Sequence, residues 1–319
     1  MKLLALFACF LFSVHAELQP HNFTSRQMGC DFRVMIYSEN AELAKRAAEK
    51  AFSRISEINQ ACSDYLVKSE VNSLSASHQE WFPLSEDLFT VLDYSLNLSE
   101  QSSGAFDITC GPLTRMWRKA RFMKKVPSDK EIARNLELCG YRKIELKDQQ
   151  AKLLVPQMKI DLGAVAKGYA IDEAMKVLKH NSIQYAMIDA SGDLLMTAHP
   201  TGKWTIYLSD HNNSKNNEYI QIKQGALATS GSSLQNLKKD GKTYSHIIDP
   251  RTGRALTQNQ RVSVFAESAM EADALASSFS VLNFQENSLL LKNCGVRINN
   301  GNSIHQSKNF PTVYSGDKL

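Results

Sequence analysis

The sequence predicts an α+β fold in which helices interleave with mostly antiparallel strands. Two amphipathic helical patterns occupy the first third of the 319-residue chain, and short β-rich runs separated by turn residues follow from Tyr185. Asp240-Gly241 lies between two such runs and is typical of a tight hairpin. The GxGxxG that would open a dinucleotide-binding βαβ unit is absent from the sequence. We therefore expect one α+β domain over residues 17–319.

The elements are predicted from hydrophobic periodicity. Residues 32–37 alternate like a strand, and a helix is expected over 39–62. A second helix is expected to begin at Ser85, because acidic residues follow it directly. The segments 185–198, 203–209 and 218–230 are predicted strands, and the Asn-rich stretch 210–218 is an expected exposed loop. One face of the first helix would carry these apolar residues: Leu43, Ala47, Ala51, Ile55 and Ile58.

Composition and charge exclude several classes of protein. The chain is 43% hydrophobic and 22% charged, which is ordinary for a globular protein. Its net charge of +4 is small and dispersed, so a nucleic-acid partner is not expected. The odd number of cysteines beyond residue 16, without CxxC spacing, supports neither a zinc site nor a complete disulfide framework. We expect buried free thiols at these positions, with one or two disulfides as the alternative in an oxidising compartment: Cys30, Cys62, Cys110, Cys139 and Cys294.

The first 16 residues have the pattern of a signal peptide. Lys2 precedes an apolar run over 3–14, and Val-His-Ala at its end fits a peptidase site after Ala16. A lipoprotein signal at Cys9 is the alternative, although this cysteine lies in the middle of the run. No later segment approaches the roughly 20 apolar residues of a membrane-spanning helix. We expect an exported, periplasmic protein, and association with the outer face of the cytoplasmic membrane stays open.

The stretch "DLGAVAKGYAIDEAMKVLK" over 161–179 indicates a strand that turns directly into a helix. Gly163 and Gly168 permit close backbone approach, and the first turn of a helix leaves amide N–H groups unpaired. Lys167 would strengthen an anion site formed there. The alternative is an ordinary strand-to-helix junction with a solvated lysine.

Another helix, which carries candidate metal-binding residues, is predicted in "SAMEADALASSFSVL". Ser268 and Glu271 have capping-box spacing, and Asp273 lies among small residues with Ser277 one turn later. A carboxylate and a hydroxyl at this spacing can share a hard cation such as Mg²⁺. The alternative is a helix acid that faces solvent.

Six short motifs in order resemble the ApbE family of FAD:protein FMN transferases. They are "GAFDITCGPL", "DLGAVAKGYAID", "ASGDL", "ATSGS", "YSHIIDPRTG" and "SAMEADALA". The resemblance extends over essentially the whole chain after the signal peptide and implies an ApbE-like α+β fold. It implies FAD contacts at these positions: Met28, Tyr65, Ala105, Phe106, Asp107, Asp161, Lys167 and Ile248. It also implies a Mg²⁺ site formed by the main-chain carbonyl of Ala164 with Asp273 and Ser277.

The chain departs from the family pattern at several of these motifs. Ser277 stands where many members have threonine, but it keeps the hydroxyl. Ala276 removes a second aspartate, and Lys167 replaces a glutamate that other members have. Cys30 replaces the usual threonine, and Ser191 stands where a Gly-Gly pair is common, which puts the tightness of that turn in question.

The resemblance implies a Mg²⁺-dependent transfer of FMN from FAD to a threonine hydroxyl of an exported acceptor protein, with release of AMP. The acceptor would belong to a membrane respiratory ion-pumping reductase. His246 is the candidate general base, expected on a strand with Tyr244 and Ile248 on the same face. A purely structural histidine is the alternative. Asp249 could orient it or cap the turn at Pro250.

Two other functions need the same pocket. An exported carrier would hold FAD without transferring anything, and a Mg²⁺-dependent FAD pyrophosphatase would use water in place of threonine. The sequence does not separate these functions from transfer.

Overall fold

The computed structural model describes residues 17–77, 79–208, 218–231, 236–282, 284 and 289–316. The predicted signal peptide over 1–16, with Cys9, and residues 210–217 of the Asn-rich stretch lie outside these ranges. No helix within the described ranges is both long and apolar enough to cross a membrane.

The helices and strands of the described residues alternate along the chain. The α-helices are α1 (Ala41–Cys62), α2 (Glu70–Leu74), α3 (Glu86–Gln101), α4 (Gly111–Met123), α5 (Asp129–Leu136), α6 (Ala166–His180) and α7 (Ala269–Val281). The first nine strands are β1 (Gln19–Gln27), β2 (Cys30–Ser38), β3 (Phe82–Pro83), β4 (Ile144–Lys147), β5 (Gln150–Leu153), β6 (Tyr185–Ala190), β7 (Asp193–Met196), β8 (Trp204–Tyr207) and β9 (Glu218–Ile222). The others are β10 (Gly225–Gly231), β11 (Leu237–Lys239), β12 (Lys242–Tyr244), β13 (Ile248–Asp249), β14 (Arg254–Ala255), β15 (Arg261–Ala266), β16 (Gly295–Asn299), β17 (Ile304–Gln306) and β18 (Val313–Ser315).

The main sheet has eight strands in the order β1-β2-β6-β7-β10-β15-β16-β17 within the described residues. Each neighbouring pair in this sheet is antiparallel. The predicted α+β class with mostly antiparallel strands is therefore confirmed.

The main sheet is covered on both faces. Phe32, Val34 and Ile36 of β2 are buried in the same core as α1, α6 and α7. The alternate residues Met35 and Tyr37 pack on a different cluster, which the smaller sheet β8-β9-β18 completes. Alternate residues of β2 belong to different apolar clusters because successive side chains of a strand point to opposite faces of the sheet.

The predicted helices form where capping residues begin them. Asn40 accepts a hydrogen bond from the Leu43 amide at α1, and Ser85 accepts one from the Leu88 amide at α3. Both caps satisfy amide groups that a helix start leaves unpaired. The five cysteines are free, as expected, but Cys30 and Cys110 are only partly buried. Burial raises the pKa of the Cys62 thiol to about 12.

A third apolar cluster joins α4 and α5 to the short strands β11 to β14. Trp117 of α4 donates its indole N–H to the Gly253 carbonyl at 2.9 Å and stacks on Tyr244 at 5.7 Å between ring centroids. This packing brings α4 beside the segment that carries His246.

Candidate functional site

Two adjoining cavities contain the residues that the sequence singled out. The larger has a volume of about 660 Å³, and its lining includes Met28, Lys167, His246, Asp273 and Ser277. The smaller, of about 350 Å³, is lined by further predicted residues: Tyr65, Ala105, Phe106, Asp107, Asp161, Ala164 and Ile248. The two cavities meet, because both linings include these residues: Met28, Gly163, Ser230, His246 and Ser277. All the predicted site residues therefore lie around one continuous concavity.

Two tight hairpin turns contribute to the larger cavity. Met28 and Gly29 connect β1 to β2 with φ angles of 50° and 80°. Ser191 and Gly192 connect β6 to β7 with φ angles of 54° and 100°. Positive φ at both central residues is the type I′ geometry that fits the twist of paired strands. The turn at Ser191 is thus as tight as a two-residue hairpin requires, although the Gly-Gly pair is missing.

Reciprocal hydrogen bonds hold the beginnings of α6 and α7 together. The Gly168 amide donates to Asp273 Oδ2 at 3.1 Å. In return, the Asp172 carboxylate accepts from the Ala269 and Met270 amides at 2.7 and 2.9 Å. Burial raises the pKa of Asp172 to about 6, although these amide hydrogen bonds favour the charged form. The exchange fixes the position of Asp273, which is buried at 8% exposure. A solvent-facing Asp273 is therefore excluded.

Gly168→Ala is expected to separate these two helices. A Cβ at position 168 would collide with the Ala269 carbonyl and lie 2.7 Å from the Met270 Cα. Relieving such a clash in packed backbone costs about 1–3 kcal/mol, so the thermal unfolding midpoint should fall. We also expect weaker metal-dependent activity, because Asp273 moves with α7. An unchanged unfolding midpoint in calorimetry would contradict this packing.

Lys167 is neither free nor simply solvated. Its ammonium forms an ion pair with Asp193 Oδ2 at the start of β7, and both residues line the larger cavity. Asp193 Oδ1 also accepts a hydrogen bond from the Thr229 amide at 3.2 Å. The lysine therefore stands beside the cavity in a fixed position, with its charge partly balanced.

The turn before α6 keeps only part of the expected set of free amides. The Gly163 amide donates to Asp161 Oδ1 at 2.9 Å, and the Gly168 amide is taken by Asp273. The amides of Ala164 and Lys167 have no hydrogen-bond partner in the part of the chain that the structure describes. The unpaired amides expected near the helix start are thus those of Ala164 and Lys167, whereas carboxylates within hydrogen-bond reach satisfy the amides of both glycines.

One wall of the smaller cavity is an ion-pair network on α4. Arg118 donates to Asp161 Oδ2 at 3.0 Å and to Asp64 Oδ2 at 2.7 Å. Its guanidinium also lies 4.5 Å from the centroid of the Tyr65 ring. Thr114 adds a 2.7 Å hydrogen bond to Asp161 Oδ2. These contacts hold both Tyr65 and Asp161 against one arginine.

Asp107 shapes the cavity wall. It accepts hydrogen bonds from the Thr109 amide and hydroxyl at 2.8 and 2.6 Å, and from the Tyr141 amide at 3.0 Å. Burial raises the pKa of this carboxyl. Because three protein donors already occupy its oxygens, Asp107 fixes the loop that presents Ala105 and Phe106 to the cavity.

His246 lies in a bend and not on a strand, so that prediction is wrong. Strand β12 ends at Tyr244, and the Ser245 hydroxyl accepts a hydrogen bond from the Ile247 amide at 3.1 Å. This local bond competes with strand pairing and turns the histidine into the concavity. The surrounding protein atoms and the nearby Arg121 charge lower the pKa of His246, which favours neutral imidazole.

Asp249 caps the following turn. Its Oδ1 accepts from the Arg251 amide at 2.9 Å, and both oxygens pair with the Arg251 guanidinium at 3.0 Å. The structure therefore supports turn capping. Among the described residues Asp249 makes no hydrogen bond to His246, so its orienting role has no support.

Ser277 differs from the serines that follow it on α7. Ser278 and Ser280 donate their hydroxyls back to the Ala274 and Ala276 carbonyls, each at 2.8 Å. Ser277 makes no such bond within the described residues and lines both cavities. Its hydroxyl is thus available to a ligand.

The predicted Mg²⁺ ligands, the Ala164 carbonyl, Asp273 and Ser277, are hard oxygens with a single carboxylate among them. Ala164 and Asp273 line the smaller and the larger cavity, respectively. The described residues contain no group of three or more His, Cys, Asp or Glu that could hold a metal ion. Such a set fits Mg²⁺, which completes its coordination with water and ligand phosphates.

Sequence reasoning missed further cavity residues, among them Asp193, Arg118 and Arg121. Asp193 was visible inside "ASGDL", but nothing in the sequence pairs it with Lys167. The two arginines lie in a basic run after Trp117. This local run was a signal in the sequence, but the net charge of the whole chain is too small to draw attention to it.

The comparison with known proteins decides the family. A sequence model of the ApbE family matches residues 28–298. The chain belongs to the ApbE family. The resemblance recognised in the six motifs is therefore confirmed.

Relatives in this family cover most of the chain. A Vibrio cholerae protein named FAD:protein FMN transferase is 27% identical over 80% of this chain and 79% of its own length. An Escherichia coli K12 protein of the same name is 27% identical over 87% of this chain and 86% of its own. The crystal structure of an ApbE protein from Thermotoga maritima has a TM-score of 0.82 and 27% identity, covering 91% of this chain and 97% of that one.

Proposed function

We propose that this ApbE-family protein transfers FMN from FAD to a threonine hydroxyl of an acceptor protein and releases AMP. One observation carries the proposal: two cavities of different composition meet at His246 and Ser277. FAD is a long molecule whose flavin and adenosine parts are joined by a pyrophosphate. A junction lined by a base candidate and a free hydroxyl suits a reaction at that pyrophosphate.

The charges at the junction support phosphate binding. Lys167 is held beside the larger cavity by Asp193, and the unpartnered amides of Ala164 and Lys167 lie at the beginning of α6. Amides at a helix start favour anions through their partial positive charge. The residues that would hold Mg²⁺ are Asp273, Ser277 and the Ala164 carbonyl. A bound Mg²⁺ would supply stabilisation of negative charge on the phosphate oxygens.

His246 would accept the proton of the acceptor hydroxyl. The threonine oxygen then forms a bond to the FMN-side phosphorus, and the bond between that phosphorus and the bridging oxygen of the pyrophosphate breaks. AMP leaves with the electron pair of this bond. Lys167 would stabilise the charge that develops on the leaving phosphate. The lowered pKa of His246 supports this role, since only neutral imidazole can take a proton.

Product analysis tests the proposal against its two alternatives. Purified protein is incubated with FAD, Mg²⁺ and a threonine-containing peptide, and AMP, FMN and peptide mass are followed. Transfer predicts AMP and labelled peptide in equal amounts, the peptide heavier by the mass of FMN less one water. AMP with free FMN would identify a pyrophosphatase, and bound FAD without AMP would identify a carrier.

The proposed setting is the periplasm, with an acceptor in a membrane respiratory ion-pumping reductase. The signal-peptide pattern over 1–16 supports export. Mass spectrometry of protein secreted from its host should find Glu17 as the first residue. An intact Met1 or a diacylated Cys9 would contradict this cleavage.

A further inference from the structure

Exposed apolar side chains lie on two segments that border the smaller cavity. Phe122 and Met123 at the end of α4 are 91% and 57% exposed, and Val67 and Tyr65 are 90% and 74% exposed. The Arg118 contacts with Asp64 and Tyr65 join the loop before α2 to α4. We call these four residues, with the basic side chains of 115–125, the rim surface. Exposed apolar side chains that lie close together, rimmed by polar residues, are typical of interaction sites.

The rim surface is strongly basic. Six of the eleven residues from 115 to 125 are Lys or Arg, and the acidic neighbour of Lys119 and Lys125 is Glu131 on α5. Arg118 is neutralised by Asp64 and Asp161. Arg121 has no acidic partner among the described residues, and burial together with the Arg118 charge lowers its pKa. An anionic group placed here would meet an unpaired guanidinium.

The rim surface is continuous with the candidate site. Tyr65, Arg118 and Arg121 line the smaller cavity together with His246. Phe122, Met123 and Val67 line neither cavity, so they lie outside the space available to FAD. A macromolecule that delivers a hydroxyl to His246 must bring its own surface against this border.

We propose that the rim surface is the docking site of the acceptor protein and that it binds acidic and apolar side chains flanking the target hydroxyl. The inference rests on the proposed transferase function. Phe122 and Val67 supply apolar contact, and Arg121, Lys119 and Lys125 attract carboxylates. Such charge complementarity accelerates encounter and fixes the orientation of the partner. The apolar residues add contact area that does not depend on salt.

Two synthetic peptides serve as probes. Both carry one threonine and one phenylalanine in a Gly/Ser background, and they differ only in three flanking positions, which are Asp in one and Asn in the other. The test variants are Phe122→Ser and the double variant Lys119→Glu/Lys125→Glu. The controls are Ile304→Ser on the edge strand β17 and Lys147→Glu on β4, at exposed positions that line neither cavity.

We expect both rim variants to raise the KM for the Asp peptide about 10-fold or more, equivalent to about 1.4 kcal/mol. Affinity for FAD and kcat at saturating peptide should stay within about twofold, because these side chains are outside both cavities. The charge-reversal variant should lose little toward the Asn peptide, whereas Phe122→Ser should lose activity toward both. The control variants should behave as wild type.

Two outcomes would overturn the docking proposal. The first is an unchanged KM in both rim variants while wild type labels the Asp peptide. The second is an equal loss in the controls. If the KM is unchanged and the rim variants bind vesicles of phosphatidylglycerol and phosphatidylcholine more weakly than wild type does, the surface belongs to a membrane contact instead. Wild-type protein that releases AMP and free FMN with either peptide would instead contradict the transferase function itself, and docking with it.

Discussion

His246→Gln is expected to lower the rate of flavin transfer by about 10²- to 10⁴-fold, the usual range for loss of a general base. Affinity for FAD and Mg²⁺ should change little. The side chain lines both cavities but makes no hydrogen bond within the described residues, so its removal leaves no partner unsatisfied. Binding and chemistry should therefore separate in this variant.

The pH profile gives a second readout of the same prediction. Because the pKa of His246 is lowered from its ordinary value of about 6.5, the imidazole stays neutral at and above that pH. The wild-type rate should fall only as the pH drops below about 6.5, when the base becomes protonated. The Gln variant should lack this acidic limb.

Transfer rate and FAD affinity are measured on the same preparations between about pH 5 and pH 8. A structural histidine would give parallel losses in FAD affinity, thermal stability and rate, with an unaltered pH profile. That result would remove His246 from the chemistry while leaving the two cavities as the binding site.

Asp273→Asn should abolish most Mg²⁺-dependent turnover, with a loss of about 10²-fold or more, since metal stabilisation of charge contributes several kcal/mol. Asparagine has nearly the same volume and retains one oxygen that can accept a hydrogen bond from the Gly168 amide, which donates to Asp273 at 3.1 Å in the wild type. The substitution therefore removes the charge with little change to the helix junction. FAD binding should persist, because most of the pocket lining lies on other elements.

Glu271→Gln is the matched control on the same helix. Glu271 lies two residues before Asp273 on α7 but lines neither cavity, so this variant should keep its activation by Mg²⁺. Titration of activity with Mg²⁺ compares the two variants. Equal metal dependence in wild type and Asp273→Asn would exclude Asp273 from a metal site.

Asp172 also predicts a pH dependence of stability. Its pKa is raised to about 6 in the fold, above the value of about 3.9 in an unfolded chain. The folded state therefore binds this proton more tightly. The resulting contribution to the free energy of unfolding is complete below about pH 4 and is lost as the pH rises through about 6. Unfolding of Asp172→Asn by denaturant should lack this component, and an unchanged pH dependence would contradict it.

Local sequence determined the elements that carry the site. The apolar spacing over 39–62 and the serine at position 85 predicted α1 and α3, because periodicity and capping depend only on neighbours a few residues away. Asp240-Gly241 predicted its hairpin for the same reason, since positive φ is a property of two adjacent residues. The ordered motifs predicted the family, and all the site residues they implied line the two cavities.

Only the tertiary structure decided what those residues contact. Gly168 and Asp273 are 105 positions apart, and Arg118 and Asp161 are 43 apart, so no local pattern could pair them. The bend at His246 likewise depends on a hydroxyl hydrogen bond that competes with strand pairing over a single residue. Side-chain hydrogen bonds and ion pairs act within about 3 to 4 Å, and distant segments reach that range only after the core has packed.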